Sequence, residues 1–358
     1  MITDAEIIDI NNDNKIDVIL SGEWMGIEVL INQNDNKFIY DKSYFPKTNN
    51  GFWNSLEMND LDGDGDLDLI AGNHGKNTPY NISKDKPLIM KYGDYNGNGR
   101  PEPLVFHFCE GDYFPIHLRN NFLNQIQKKK SDFINYESYS KASMDKILNK
   151  EEQKISKTLE IHNYKTTIYE NNDGKFVEHI LPVEVQFSPI FDTKVVDIND
   201  DGSKEIFFIG NDNAYEVFTG PRNSFQGSVL RFKEGFDFEI IPKKSSGFDV
   251  PFYGRSIELI RINNKNALFV TQNNNNSLLF FLFLALYLFF KVVAQILLAA
   301  RSLQISSKNS LCELKKNESR GANESTSSPR FMHASTYSIP SRSVNASSCV
   351  AVEPASRM

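Results

Sequence analysis

The chain has 358 residues, 39 of them Lys or Arg and 46 Asp or Glu, for a formal net charge of −7, which is enough for one large domain or two ordinary ones. Residues 1–290 carry 30 basic and 42 acidic side chains, whereas the chain from Lys291 onward carries nine basic and four acidic ones. The acidic body excludes nucleic-acid binding, which needs a basic surface, and favours divalent cations.

The first ten residues, "MITDAEIIDI", lack the basic start and long apolar run of a secretory signal. We therefore expect the sequence to begin within a folded domain. The three cysteines, Cys109, Cys312 and Cys349, fit neither a disulfide framework nor a zinc-binding pattern.

One template then occurs four times: D-x-[DN]-x-[DN]-[GN]-x-x-[DE], followed by an apolar run. The copies are "DINNDNKIDVIL" from Asp9, "DLDGDGDLDLIA" from Asp60, "DYNGNGRPEPLV" from Asp94 and "DINDDGSKEIFF" from Asp197. We name residues 9–17, 60–68, 94–102 and 197–205 loops 1 to 4. Each apolar run favours a strand, so the four copies predict a β-repeat protein.

The spacing of oxygen-bearing residues in these loops fits a calcium ion, which takes six to eight oxygen ligands. Positions 1, 3, 5 and 9 supply side chains, position 7 supplies a backbone carbonyl, and Gly or Asn at position 6 permits the left-handed backbone that closes the loop. The predicted Ca²⁺ ligands are Asp9, Asn11, Asp13 and Asp17; Asp60, Asp62, Asp64, Asp66 and Asp68; Asp94, Asn96, Asn98 and Glu102; and Asp197, Asn199, Asp201 and Glu205.

The loop pattern has two other interpretations. An EF-hand needs a Glu at position 12 and flanking helices, but position 12 is Leu20, Ala71, Val105 or Phe208 in predicted strands, which excludes it. Metal-free Asx and Gly turns stay open. This alternative is weakest for loop 2, which has five aspartates, and strongest for loop 3, which has only two carboxylates beside Arg100.

Other segments predict hairpins and an inserted helical region. "EVLINQNDNKF" from Glu28, "TTIYENNDGKF" from Thr166 and "SVLRFKEGFDF" from Ser228 each predict a strand, a turn and a strand. Short strands at close spacing indicate an all-β sandwich or propeller. Residues 117–160, with "FLNQIQKKK" and "MDKILNKEEQKISKTLE" at helical spacing, predict a helical insertion between blades.

The composition changes sharply after Asn276. Residues 277–301 form a hydrophobic segment, predicted as a helix, and residues 302–358 form a Ser-rich tail that we expect to be disordered. The segment is interpreted as a single membrane span, as an apolar stretch too short to cross, or as an extension joined to the reading frame. Basic residues after a span would leave the body outside the cell.

The four loops resemble the calcium-binding repeats of FG-GAP/VCBS proteins, which form blades of β-propellers similar to the integrin alpha-chain head. "SGEWMGIEVLIN", "GFWNSLEMNDLDGDGDLDLIAGNHGKNT" and "LPVEVQFSPI" further resemble the bacterial secreted branch, often associated with ASPIC/UnbV modules. The resemblance covers residues 1–276 and implies a secreted or surface-exposed propeller with structural calcium. No ASPIC/UnbV segment is evident, and the C-terminal region has no counterpart in the family pattern.

The resulting prediction is an all-β fold, a β-propeller of about five blades or the C-terminal part of a larger ring. We expect a non-enzymatic protein, extracellular or at the cell surface, that presents loops to a protein or glycan partner. The alternatives are a polysaccharide hydrolase or lyase, for which Glu110 and Asp112 are a carboxylate pair, and an incomplete gene product without independent function.

Overall fold

The computed structural model describes residues 1–34, 37–198, 202–215 and 219–282. Far more of them lie in antiparallel strands than in helices, which confirms a mostly β fold. The strands are β1 (Ile2–Ile8), β2 (Asp17–Met25), β3 (Glu28–Asn32), β4 (Phe38–Asp41), β5 (Gly51–Phe52), β6 (Ser55–Asn59), β7 (Asp68–Gly72), β8 (Leu88–Gly93), β9 (Glu102–Cys109), β10 (Asp112–Pro115), β11 (Lys157–Ile161), β12 (Thr167–Asn172), β13 (Lys175–Ile180), β14 (Ile190–Val196), β15 (Glu205–Gly210), β16 (Ser228–Lys233), β17 (Asp237–Ile240), β18 (Tyr253–Ile262), β19 (Lys265–Asn273) and β20 (Leu278–Phe281).

Helices are short. The α-helices are α1 (Arg119–Gln125), α2 (Tyr136–Ser140), α3 (Met144–Ile147), α4 (Lys150–Ile155) and α5 (Lys243–Ser246), and the 3₁₀ turns are Gln127–Lys130, Val183–Gln186 and Glu234–Phe236. The first four α-helices lie within the segment that the sequence predicts as helical. Their buried side chains, such as Phe122 and Ile147, form a core with Leu104 and Phe106 of β9.

The strands form five sheets. Sheet 1 has the order β1-β2-β3-β4, with β5 also paired to β2; sheet 2 is β6-β7-β12-β13; sheet 3 is β14-β15-β16-β17; and sheet 4 is β18-β19-β20. The fifth, which we name the inserted sheet, is β10-β9-β8-β11. The three predicted hairpins are confirmed as β3–β4, β12–β13 and β16–β17.

The inserted sheet corrects the predicted place of the helical insertion. The sequence predicts about five blades, or part of a larger ring, with the helical insertion between blades. Instead β12 pairs with β7, placing Tyr169 opposite Leu69, so residues 73–166 lie between the second and third strands of sheet 2. All five residues of β7 are buried, and such a strand needs a hydrogen-bonded neighbour on each side. Spacing along the sequence does not reveal which later strand fills that place.

Sheets 1 to 4 pack face to face in chain order. Three apolar clusters fill the spaces between successive sheets; they are represented by Val29 with Leu69, Ile168 with Ile206, and Phe207 with Leu268. Side-chain hydrogen bonds also join the first strand of one sheet to the first strand of the next. An Asp4 carboxylate oxygen accepts the Leu56 N–H at 2.7 Å, and an Asp192 oxygen accepts the Ile257 N–H at 2.8 Å. Acidic side chains of one first strand thus bond to the backbone of the next.

The predicted hydrophobic helix is wrong at its start. Leu278–Phe281 forms β20, which pairs with β19 and places Leu279 opposite Phe269. Leucine and phenylalanine occur in both buried helices and buried strands. Here the segment forms a strand because it pairs with β19 at the edge of sheet 4. Residues 283–301 of this segment and the predicted tail, 302–358, lie outside the described residues. Within the described ranges, no helix has the length and apolar character needed to cross a membrane.

Candidate metal centre

Each acidic loop joins the first two strands, in chain order, of its sheet. Loops 1, 2, 3 and 4 connect β1 to β2, β6 to β7, β8 to β9 and β14 to β15. The acidic residue at position 9 is in every case the first residue of the second strand. The apolar run that follows is therefore the strand that anchors the loop in the core.

Two left-handed residues shape each fully described loop. In loop 2, Gly63 and Gly65 have φ angles of 84° and 98°, and in loop 3 the equivalent Gly97 and Gly99 have 78° and 82°. Loop 1 uses Asn12 and Asn14 at the same positions, with φ of 58° and 63°. Sequence reasoning identified position 6 but missed position 4, although Gly or Asn occupies both positions in loops 1 to 3.

The acidic side chains accept hydrogen bonds from backbone N–H groups of their own loops. An Asp60 oxygen accepts the Gly63 N–H at 2.6 Å, as Asp94 accepts Gly97 N–H at 2.8 Å. Asp62 in turn accepts the N–H of Asp64 at 3.1 Å. These are Asx turns, so the geometry of the metal-free alternative is present in the same loops.

Loop 2 brings three carboxylates together. One oxygen each from Asp60, Asp62 and Asp68 lies within 4.8 Å of the other two. We name these residues the acidic triad; in the part of the chain that the structure describes, no other three His, Cys, Asp or Glu residues gather in this way. Two of the five predicted loop 2 ligands, Asp64 and Asp66, are not members of the triad.

The triad carries an excess of negative charge. Asp68 is only 2% exposed, and burial raises its pKa from 3.8 to about 6, against the lowering effect of backbone N–H groups from Asn171 and Leu61. The charges of Asp62 and Asp64 raise this pKa further. Two carboxylates about 5 Å apart repel by about 3 kcal/mol at an effective dielectric constant of 20. A divalent cation between them would remove that repulsion, so the residues present fit a hard, oxygen-binding ion.

In the other loops, charged or amide side chains already contact predicted ligands. Lys15 pairs with Asp13 at 3.1 Å in loop 1, and the Asn96 side-chain amide donates to Glu102 at 2.6 Å in loop 3. In loop 4, Arg231 donates to Glu205 at 3.1 Å, while Asn199 and Asp201 lie outside the described residues. In loop 2, by contrast, the hydrogen bonds that the three triad carboxylates accept are all donated by backbone N–H groups.

Position 9 has a structural role that sequence reasoning missed. Its carboxylate accepts the N–H of loop position 2 in all four loops: Ile10 to Asp17 at 3.2 Å, Leu61 to Asp68 at 2.8 Å, Tyr95 to Glu102 at 2.8 Å, and Ile198 to Glu205 at 3.2 Å. A buried carboxylate must be hydrogen-bonded. An acidic residue that opens an apolar run is therefore the signal that indicates such a role.

The second oxygen of this carboxylate reaches the third strand in sheets 1 and 2. Asp17 accepts the Asn32 N–H at 2.7 Å, and Asp68 accepts the Asn171 N–H at 2.9 Å. Asn171 belongs to β12, which follows the inserted segment. Asp68 therefore links loop 2 to the half of sheet 2 that comes after residues 73–166.

The residues proposed for the enzymatic alternative lie elsewhere. Glu110 and Asp112 are exposed in and beside the turn that joins β9 to β10. Neither residue lines the pockets that contain Asn98, Tyr164 or Phe225. Trp53 is fully buried between sheets 1 and 2, where its indole N–H donates to Asn49 O at 3.0 Å.

Comparison with known families identifies one stretch of the chain. Residues 9–71 match the family model of the FG-GAP-like repeat. The match begins at the first residue of loop 1, includes the whole of loop 2 and ends in β7. No curated protein matches the chain at a significant level.

Proposed function

Because this chain contains an FG-GAP-like repeat, we propose that it is a calcium-binding repeat protein whose loop 2 holds one Ca²⁺. The observation that carries the proposal is the acidic triad, with three carboxylate oxygens within 4.8 Å of one another. Calcium takes oxygen ligands in flexible geometry. Asp60, Asp62 and Asp68 would hold the ion, with Asp64 and the Asp66 carbonyl as further oxygen donors from the same loop.

The ion would have a structural role. Asp60 follows β6 and Asp68 opens β7, so a shared cation would fix the two ends of loop 2 together. Asp68 also accepts the Asn171 N–H of β12 at 2.9 Å. Calcium would in this way stabilise sheet 2, whose two halves are separated in sequence by residues 73–166.

The arrangement of the sheets supports a propeller as the framework of this function. Sheets 1 to 4 pack in chain order, and the first strands of successive sheets, β1, β6, β14 and β18, contact one another. Loop-bound calcium with a dissociation constant of about 10⁻⁴ to 10⁻³ M is typical of extracellular modules. The proposal therefore places the protein outside the cell or at its surface, presenting exposed loops to a protein or glycan partner.

Calcium titration of the full-length chain tests the proposal. Isothermal titration is expected to give one site, and thermal unfolding is expected to show stabilisation of about 2.7 kcal/mol at a calcium concentration 100 times the dissociation constant. Asp62→Asn keeps the side-chain shape but removes a triad charge, so it should abolish most of this stabilisation. Asp66→Asn is the matched control, because its side chain is outside the triad. Calcium stabilisation that is equal in the two variants, or absent from the wild type, would contradict the proposal.

A further inference from the structure

A cleft lies between loop 3 and the C-terminal end of helix α1. Its volume is about 690 Å³. Five of its ten lining residues carry amide side chains: Asn96, Asn98, Asn124, Gln125 and Gln127. We name it the amide cleft. Its two cationic lining residues are Arg100 and Lys128.

Hydrogen bonds hold the two sides of the amide cleft together. The Asn96 side-chain amide donates to the backbone oxygen of Gln125 at 3.2 Å and to the Glu102 carboxylate at 2.6 Å. Glu102 is buried and opens β9. Loop 3 is therefore joined to α1 on one side and anchored in the inserted sheet on the other. A cleft that is fixed in this way loses little conformational entropy when a ligand binds.

Several polar groups of the amide cleft are available to a ligand. The side-chain oxygen of Gln125 is buried and has no hydrogen-bond partner among the described residues. Such an atom costs free energy unless water or a ligand bonds to it. Asn124 and Gln127 are exposed. An amide side chain has donor and acceptor atoms side by side, which matches a hydroxyl group, since a hydroxyl also donates and accepts.

Arg100 gives the amide cleft a positive charge that no carboxylate balances. It occupies position 7 of loop 3 and is exposed. The residue at position 7 of loop 1, Lys15, pairs with Asp13 at 3.1 Å. Loop 3 has Asn98 in place of Asp13, and in the part of the chain that the structure describes no acidic side chain pairs with Arg100. A guanidinium group in this state is suited to bind a carboxylate through two parallel hydrogen bonds.

The surroundings of the amide cleft are more basic than the rest of the protein. Residues 117–160, which contribute one side of the cleft, carry nine basic and six acidic side chains, whereas residues 1–290 as a whole carry 30 basic and 42 acidic ones. On that side, Lys128 pairs with Glu152 at 3.0 Å. Arg100 is therefore the cation of the cleft that remains open to an anionic group.

We propose that the amide cleft binds an acidic oligosaccharide, with a uronic acid carboxylate on Arg100 and sugar hydroxyl groups on the amide side chains. An acidic peptide fits less well. The apolar lining residues are only Pro101 and Pro103, and β9 is paired on both sides, so it has no free edge for a peptide backbone. This assignment rests on the proposed function, which includes a glycan partner, but not on the calcium ion at loop 2.

Isothermal titration of the full-length chain with trigalacturonic acid and with its methyl ester tests the role of Arg100. The ester has the same sugar rings but no free carboxylate. The wild type is expected to bind the acid about 10-fold or more tightly than the ester. Arg100→Gln removes the charge, so the acid and the ester should bind it alike. Arg261→Gln is the matched control, because Arg261 is exposed on β18 and outside the cleft, and it should keep the wild-type preference.

A second variant tests the amide side chains separately from the charge. Asn124→Ala removes one amide that faces the cleft, so it should weaken binding of the acid and of the ester by the same factor, about 3- to 10-fold. Asn124 and Arg100 are both exposed, so circular dichroism should show native folding in both variants.

Three outcomes would overturn the assignment. The first is a wild type that binds neither form of the trimer. The second is an acid preference that persists in Arg100→Gln. The third is a tetra-aspartate peptide that binds as tightly as the acid trimer, because charge alone would then explain the binding. Absence of trimer binding in a chain that calcium still stabilises would contradict this site alone, whereas an acid preference without calcium stabilisation would contradict only the calcium site of loop 2.

Discussion

Loops 2 and 3 share one template and one backbone shape but differ in charge. Both place glycine at the two left-handed positions, and both use the acidic residue at position 9 to hold the N–H of position 2. Loop 3 replaces two aspartates with Asn96 and Asn98, and the Asn96 amide bonds to Glu102 at 2.6 Å. Loop 2 instead gathers three carboxylates without a cationic side chain. The two loops therefore share one backbone shape, and the excess charge of loop 2 distinguishes a candidate metal site from a turn.

The largest expected effect comes from removing the buried acid of loop 2. Asp68→Ala leaves the N–H groups of Leu61 and Asn171 without an acceptor, and each buried unpaired group costs about 1–3 kcal/mol. We expect the free energy of unfolding in calcium-free urea titrations to fall by about 2–5 kcal/mol. Glu102→Ala in loop 3 leaves one backbone N–H unpaired, that of Tyr95, and should cost less. Equal losses would break the distinction between the two loops.

The next effect follows from giving loop 3 the charges of loop 2. The double variant Asn96→Asp with Asn98→Asp removes the amide that bonds to Glu102 and adds two carboxylates. In calcium-free buffer we expect a loss of about 1–3 kcal/mol, since close carboxylates repel at this scale. Millimolar calcium should restore the stability, and the titration should gain a second site. Wild-type stoichiometry in this variant would show that charge alone does not create the site.

The pH dependence of stability should have opposite signs with and without calcium. The Asp68 pKa is raised from 3.8 to about 6 in the folded protein. Without calcium, the native state binds more protons than the unfolded state between these values, so the contribution of Asp68 to stability falls as the pH rises through this window. With calcium, the ionised carboxylate is the ligand, so stabilisation should grow as the pH rises through 6.

Thermal unfolding at pH 5, 6 and 7 in calcium-free and calcium-containing buffers measures this difference. Asp68→Asn should remove the opposed trends, because its side chain does not titrate. Parallel pH trends in the two buffers, in the wild type, would count against Asp68 as a calcium ligand.

The smallest effect tests what the two loops have in common. Gly63 and Gly97 occupy the same left-handed position, and a Cβ atom at either would meet nothing within 4 Å. Gly63→Ala and Gly97→Ala should therefore each cost only the conformational strain, about 1 kcal/mol. Urea unfolding without calcium should show similar losses. A large difference between the two would mean that the loops do not share one backbone geometry.

The sequence predicted much of the local structure. The loops, the strands after them and three hairpins lie where the pattern indicated, because turn residues and alternating apolar residues act over a few positions. It predicted five acidic ligands in loop 2, of which the structure gathers three. It did not predict the second left-handed position or the buried role of the acid at position 9, since both depend on where the loop N–H groups point.

The order of the sheets could not be predicted from the sequence. Repeat spacing suggested about five blades with a helical insertion between blades, but β7 pairs with β12 across an inserted sheet and four helices. The apolar run from Leu278 suggested a helix, but its first residues complete an edge of sheet 4. Both outcomes depend on contacts between residues far apart in the chain.

The sequence by itself determined the short-range features of this protein: strand-forming runs, acidic turns and an excess of carboxylates in loop 2, because these follow from the chemistry of neighbouring residues. Only the tertiary structure decided which strands share a sheet and which acids are buried. The reason is that pairing and burial depend on the distance between atoms in space, and a sequence pattern specifies that distance only for residues close together along the chain.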